Sequence, residues 1–220
     1  MGIRIGLIHA VPMAIAPVVQ ALTDLWPEAR PMNLMDDALS PDREAREDLD
    51  PLLARRIESL ADYAVMAGAH GILYTCSAFG GAIERVKMRL DLPVLKPNEA
   101  MFDAALQMGS HIGMVATFAP SVSSMEEEFA SLARARSSQA RLETRLVSEA
   151  MRALRSGDAD QHNALVADAA GSLAHCDAIM LAHFSTSTAY ALAQQRVKAP
   201  VLTSPRSAVL ALRAAVAGVQ

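Results

Sequence analysis

Two side chains in this 220-residue sequence have the type and setting for proton chemistry. Cys76 ends the apolar run Gly71-Ile72-Leu73-Tyr74-Thr75 and is followed by Ser77-Ala78-Phe79-Gly80-Gly81, after which a helical pattern starts near Ile83. His183 ends a second apolar run, Ala178-Ile179-Met180-Leu181-Ala182, and is followed by the hydroxyl-rich Phe184-Ser185-Thr186-Ser187-Thr188. Ligands of open parallel sheets bind where the strands end. A thiol there, ahead of a helix N-terminus, is expected to have its thiolate stabilised by the helix dipole and free N–H groups. The same N–H groups suit a substrate carboxylate. A histidine whose unperturbed pKa is near ~6.5 can take or give a proton. Such a pair fits chemistry at a single carbon, one group removing a proton from one face and the other delivering a proton to the opposite face.

Cys76 and His183 are therefore the expected catalytic residues. Ser77 and Ala78 beside the thiol, and Phe184, Ser185 and Thr186 beside the imidazole, are expected to contact substrate. Thr117 closes the apolar stretch 112–116, and Ser121 follows Pro120, so both hydroxyls are candidates for a carboxylate. His9 ends the first apolar stretch and is a further substrate-contacting candidate. Cys176 lies just before a strand and reads as a small buried thiol. His70, His111, His162 and His175 read as surface or structural residues. No His/Cys/Asp/Glu grouping has metal-ligand spacing along the chain, and neither HExxH nor paired CxxC occurs, so no metal site is expected. No Walker-type phosphate loop is present, and no GxGxxG follows the first strand.

The elements that carry these residues repeat at a constant interval. Ile5-Gly6-Leu7-Ile8 resembles Ile112-Gly113-Met114-Val115, Pro93-Val94-Leu95 matches Pro200-Val201-Leu202, and the runs ending at Cys76 and His183 correspond, all 107 positions apart. Leu60-Ala61-Asp62 and Val166-Ala167-Asp168 fall one residue out of that register. Self-similarity of this kind marks a duplicated architecture. In the first half, strands are expected at 3–9, weakly at 31–35, and at 71–76 and 92–95, with a helix from Pro12 to Leu25. The acidic stretch 36–50 reads as a surface loop. Asp50-Pro51 is a helix start, with an N-cap followed by proline at the first helical position. That helix is expected to run to Ala67 and stop at Gly68.

The second half is expected to carry strands near 111–116, 142–147, 178–182 and 200–203, and helices around 121–135, 148–155 and 160–174. Continuous apolar strands alternating with helices indicate parallel sheets covered on both faces. The expected fold is α/β, in two pseudo-symmetric lobes with the active site in the cleft between them. The first lobe spans 1–98, completed by the Ala-rich helix 205–220, and the second spans 99–204.

Composition narrows the class. The net charge of -4 and 4% aromatic content carry neither a basic stripe nor stacking platforms, so no nucleic acid partner is expected. No apolar run reaches the ~20 residues needed to span a bilayer. The N-terminal MGIRIGLIHAVP reads as a buried first strand, and the two cysteines as reduced thiols, so a cytoplasmic location without a membrane partner is expected. A homodimer is the expected assembly, dimers being the commonest symmetric form.

The stretches ILYTCSAF, IGMVATFAPS and DAIMLAHFS, in this order and spacing, make nearly the whole chain similar to the Asp/Glu/hydantoin racemase superfamily. That resemblance implies two α/β lobes with a catalytic residue after the same strand in each. It also implies a small carboxylate substrate, no pyridoxal phosphate, metal or other cofactor, and an enolate-like intermediate. On this basis the expected function is a racemase or isomerase moving a proton at the carbon alpha to a carboxylate, with the Cys76 thiolate as acid/base. Two-base racemases carry a cysteine in each lobe, whereas the second position here is His183, and the first strand ends in His9-Ala10 where many relatives carry an acidic or amide residue. A single-thiol decarboxylase, a maleate-type cis-trans isomerase and a non-catalytic carboxylate-binding protein of the same fold stand as alternatives.

Overall fold

The structure is a computed structural model that describes residues 2–46 and 48–219. The first half contains β1 (Ile3–His9), α1 (Ile15–Leu25), β2 (Ala29–Met35), α2 (Leu39–Glu44), α3 (Pro51–Met66), β3 (Gly71–Tyr74), α4 (Gly80–Arg89) and β4 (Val94–Leu95). After α5 (Glu99–Leu106) come β5 (His111–Ala116), α6 (Val122–Ala135), β6 (Arg141–Leu146), α7 (Ser148–Arg155), α8 (Ala159–Ser172), β7 (Ala178–Leu181), α9 (Tyr190–Arg196), β8 (Val201–Thr203) and α10 (Ser204–Val219). Short 3-10 turns precede α1, α4, α6 and α9.

The strands form two four-stranded parallel sheets, ordered β2-β1-β3-β4 and β6-β5-β7-β8. The repeat seen in the sequence is also a repeat of register. Ile5 pairs with Gly71, and 107 positions on, Ile112 pairs with Ala178. Ile72 pairs with Val94, and Ile179 with Val201, at the same interval. The edge strands depart from it: Arg4 pairs with Arg30 but His111 with Arg141, an interval of 111. By contact the chain divides into two compact units, Met1–Pro97 with Ala208–Gln220, and Asn98–Ser207.

Alternation along the central strands explains the layering of the second unit. Ile112, Met114 and Ala116 of β5, with Ala178 and Met180 of β7, pack against Met101, Phe102, Met125 and Phe129 from α5 and α6. Val115, Ile179 and Leu181 turn to the other face and meet Val166, Ala170 and Ala193 from α8 and α9. Successive strand side chains point to opposite faces, so a strand covered on both sides must be apolar throughout. Burying each large aliphatic side chain contributes about 1.5–3 kcal/mol. The edge strands β2 and β6 are largely exposed, in keeping with their Arg, Asn, Glu and Thr residues and with Pro31, whose missing N–H is tolerated at a sheet edge. Two glycines at equivalent positions let a helix approach a central strand: a Cβ on Gly6 would stand 3.0 Å from Ala64 of α3, and one on Gly113 3.1 Å from Leu173 after α8.

In the first unit the stretch expected as a surface loop is partly helical. Leu39 and Ser40 of α2 are buried, and Arg56 of α3 ties the segment down, pairing with Asp36 at 2.6 Å and with Asp42 at 2.5 Å. α3 begins as its sequence dictates. The Asp50 side chain accepts the Leu53 N–H at 2.8 Å, Pro51 occupies the first turn, and Gly68 beyond the end takes φ 77°. Membrane-spanning helices are absent among the described residues: none is long and apolar enough to cross a bilayer. Asp50→Ala is predicted to lower the midpoint of equilibrium urea denaturation, with Asp50→Asn retaining most of the wild-type stability. An unchanged midpoint for Asp50→Ala would refute the capping role.

Candidate functional site

In the first unit, four of the expected site residues gather around the carboxyl ends of β1 and β3. The Thr75 N–H donates to the Ile8 carbonyl at 3.0 Å, which extends the ladder one step past β3. Cys76 follows in extended backbone, φ -126° and ψ 121°, and enters the 3-10 turn Ser77–Phe79 that leads into α4. Its thiol is half-buried, whereas Ser77 and Ala78 are buried. The expectation of a lowered thiol pKa is corrected here. Burial pushes the Cys76 thiol up to about 11, outweighing the Ala78 N–H and the Arg43 charge, which both favour the thiolate. The physical reason is that the 3-10 turn separates Cys76 from the first turn of α4, and desolvation of an anion is the larger effect.

Arg43 is the nearby cation. It comes from α2, inside the stretch expected as a loop, and its Nε donates to the Ala78 carbonyl at 3.4 Å. His9 is fully buried. Its Nδ1 lies 2.9 Å from Thr75 Oγ1 and its Nε2 3.0 Å from Asn33 Oδ1. A neutral ring can donate from Nε2 to Asn33 and accept at Nδ1 from the Thr75 hydroxyl, whose single proton the Ile8 carbonyl at 3.2 Å also competes for. Burial holds its pKa below the ordinary value, consistent with a neutral ring. The His9 nitrogens are thus engaged by β2 and the end of β3.

In the second unit, the other six expected residues cluster around the carboxyl ends of β5 and β7. The Thr117 N–H donates to His183 Nδ1 at 3.2 Å, with Thr117 Oγ1 at 3.3 Å from the same nitrogen. Ser121 Oγ lies 3.0 Å from His183 Nε2 and donates its own proton to the Phe118 carbonyl at 2.8 Å. These partners fix the neutral tautomer with the proton on Nε2, donated to Ser121. Burial, helped by the nearby His162, lowers the His183 pKa to about 4, so the ring is neutral at neutral pH. Thr186 Oγ1 donates to the His183 carbonyl at 2.6 Å and so shapes the turn that presents the imidazole. Phe184, Ser185 and Thr186 are all buried.

Sequence reading missed Arg43, Asn33 and His162. His162, expected as a surface or structural residue, is fully buried in α8. Its Nδ1 lies 3.0 Å from Asn163 Oδ1, and its Nε2 has no hydrogen-bond partner among the described residues. The signal was available, since His162, Val166 and Ala170 occupy one helical face at four-residue spacing and all are buried. Among the described residues, the side chains suited to a metal ion lie at the other end of β5, around His111.

A thiol titrating near 11 holds about a hundredfold less thiolate at neutral pH than one titrating near 9. Alkylation of Cys76 by iodoacetamide, read on its own peptide by mass spectrometry, is therefore predicted to be slow at pH 7 and to keep accelerating to about pH 11. A plateau reached below pH 8 would contradict the burial argument.

The profile of the Asp/Glu/hydantoin racemase family matches residues 14–174. Among curated proteins, none matches this sequence. Solved structures do. The fold is similar to that of a glutamate racemase of Bacillus anthracis, at TM-score 0.79 and 12% identity, covering 98% of this chain and 82% of that one. It is similar to an allantoin racemase of Klebsiella pneumoniae at TM-score 0.74 and 15% identity, covering 98% and 88%. It is similar to a double mutant of arylmalonate decarboxylase at TM-score 0.68 and 16% identity, covering 98% and 93%. The repeated β-α topology and the extent of the profile match together establish that this chain belongs to the Asp/Glu/hydantoin racemase family.

Proposed function

We propose that the protein is a cofactor-independent racemase or isomerase of a small carboxylic acid, an amino acid or a related acid, in which Cys76 and His183 handle the proton at the carbon alpha to the carboxylate. Family membership supports a racemase-type enzyme. The observation that carries the finer reading is Cys76, half-buried at the end of β3 and kept protonated by its surroundings. A thiol with a raised pKa is a proton donor matched to an enolate-like centre. In the forward step the neutral His183 imidazole accepts the alpha proton at Nδ1, giving up the Thr117 N–H, and an enolate forms. The Cys76 S–H bond then breaks as a C–H bond forms on the opposite face, leaving a thiolate that Arg43 stabilises. The imidazolium proton and the thiolate re-equilibrate through solvent.

Arg43 and Ser77 would bind a carboxylate on the Cys76 side, with Ala78 closing that wall. The Thr117 and Ser185 hydroxyls would serve developing charge on the His183 side, where prearranged donors are the larger source of catalysis, while Ser121 would orient the imidazole through Nε2.

One observation favours a second reading. Both ring nitrogens of His183 are engaged, Nδ1 by Thr117 and Nε2 by Ser121. Cys76 would then act alone, protonating an enolate generated when a C–CO2 bond breaks, as in a decarboxylase.

The test is turnover of a panel of aspartate and glutamate enantiomers, hydantoins, maleate and arylmalonates, read by chiral chromatography and by carbon dioxide release. Cys76→Ser is predicted to lose at least about a hundredfold in kcat. His183→Asn abolishes enantiomer interconversion under the first reading and spares carbon dioxide release under the second. With both groups acting from their neutral forms, kcat/KM is flat through neutral pH. It falls as His183 gains a proton near pH 4 and as Cys76 loses one near pH 11. Turnover unchanged in Cys76→Ser contradicts both readings.

A further inference from the structure

Four donor side chains from three separate segments of the second unit converge at the amino-terminal end of β5. His111 opens β5, Glu143 is in β6, and His175 and Cys176 lie between α8 and β7. One ligand atom from each lies within 4.8 Å of all the others. His175 Nε2 is 2.9 Å, and His111 Nε2 3.4 Å, from the same oxygen, Glu143 Oε2. The two imidazole rings stand 5.1 Å apart between centroids. Cys176 is buried beneath them, while both histidines reach solvent.

We propose that His111, Glu143, His175 and Cys176 form a binding site for a divalent transition-metal ion, with zinc the best match. Two imidazoles, a carboxylate and a thiolate are the donor types zinc takes, whereas calcium and magnesium require oxygen ligands throughout. Tetrahedral zinc, at about 2.0–2.3 Å from each donor, sets its donors roughly 3–4 Å apart, so only small side-chain shifts are needed. The surroundings leave room. Gly113, the register partner of Glu143, carries no side chain, and a Cβ there would stand 3.3 Å from Cys176 Sγ. Arg145 pairs with the other Glu143 oxygen, Oε1, at 2.7 Å. Asp177 accepts the backbone N–H groups of Ser110 and His111, each at 2.8 Å, and so fixes the strand end that presents His111. Exposed ion pairs alone contribute little, and they give no reason for a buried thiol to face the same point.

Four protein donors fill a tetrahedral ion, so the site is structural and clamps β5, β6 and the segment entering β7. On binding, the Cys176 thiol proton passes to solvent. The site is independent of the chemistry assigned to Cys76. This proposal departs from the expectation of no metal site. That expectation rested on spacing along the chain, whereas sheet register assembles these donors from positions far apart in sequence.

The untagged, metal-free chain would be titrated with zinc chloride by calorimetry and followed by thermal melting. One ion per chain with a raised melting temperature is expected. His111→Ala and His175→Ala are each expected to weaken zinc by more than about tenfold without moving the metal-free melting temperature. With cobalt(II), Cys176→Ser removes the sulfur-to-metal charge-transfer band and Cys76→Ser keeps it. Should Cys176→Ser fail to fold, the two histidine variants decide. No saturable heat, zinc affinity that survives both histidine changes, or a band that follows Cys76 overturns the proposal.

Discussion

Burial at the carboxyl ends of β3 and β7 governs what the side chains there can do. Central parallel strands are covered on both faces, so residues just beyond them stay in a poorly solvated environment. The charged form of an ionisable group is penalised there whatever its sign. Cys76 is pushed up and His183 pulled down for this one reason. Each unit thus presents a neutral group, a thiol that holds its proton and an imidazole that lacks a second one. The Arg43 charge and the Ala78 N–H work against burial at Cys76, and this balance sets how readily a thiolate can form during turnover.

Holding those strand ends is the work of the rest of the fold, and the duplication organises it. Each sheet receives its closing helix from the segment after its partner's last strand. α5 follows β4 but packs within the second unit, and most of α10 follows β8 but belongs to the first. Met101, Phe102 and Ala105 of α5 correspond at the 107-residue interval to Ala208, Val209 and Leu212 of α10, and all six are buried. Leu212 and Val216 sit against Gly71 at the start of β3, and Arg213 donates to the Leu25 carbonyl at 2.7 Å.

The central strands were legible because burial on both faces demands uninterrupted apolar residues. β1, β5 and α7 match their expected bounds, and α3, β7 and β8 fall within a residue or two. Edge strands obey no such demand. β2 and β6 are polar and sit at a different interval, so the repeat does not announce them, although both lie within two residues of their expected bounds. Cys76 and His183 could be picked out because a strand end is a local feature. The direction of the Cys76 shift could not, because it depends on desolvation by residues distant in sequence. Arg43 was hidden in an acidic stretch whose helix is set by the Arg56 ion pairs. The cluster around His111 was hidden because strand register, which no linear motif encodes, brings it together.

The central claim is that Cys76 exchanges protons with a carbon alpha to a carboxylate. Proton NMR in deuterium oxide tests it most directly, with wild type and Cys76→Ala each incubated with the small carboxylates of the panel. The account predicts that wild type replaces the alpha proton of a substrate, or delivers solvent deuterium to the carbon left by decarboxylation, and that Cys76→Ala does neither. Deuterium incorporation at the same rate in both proteins would contradict it.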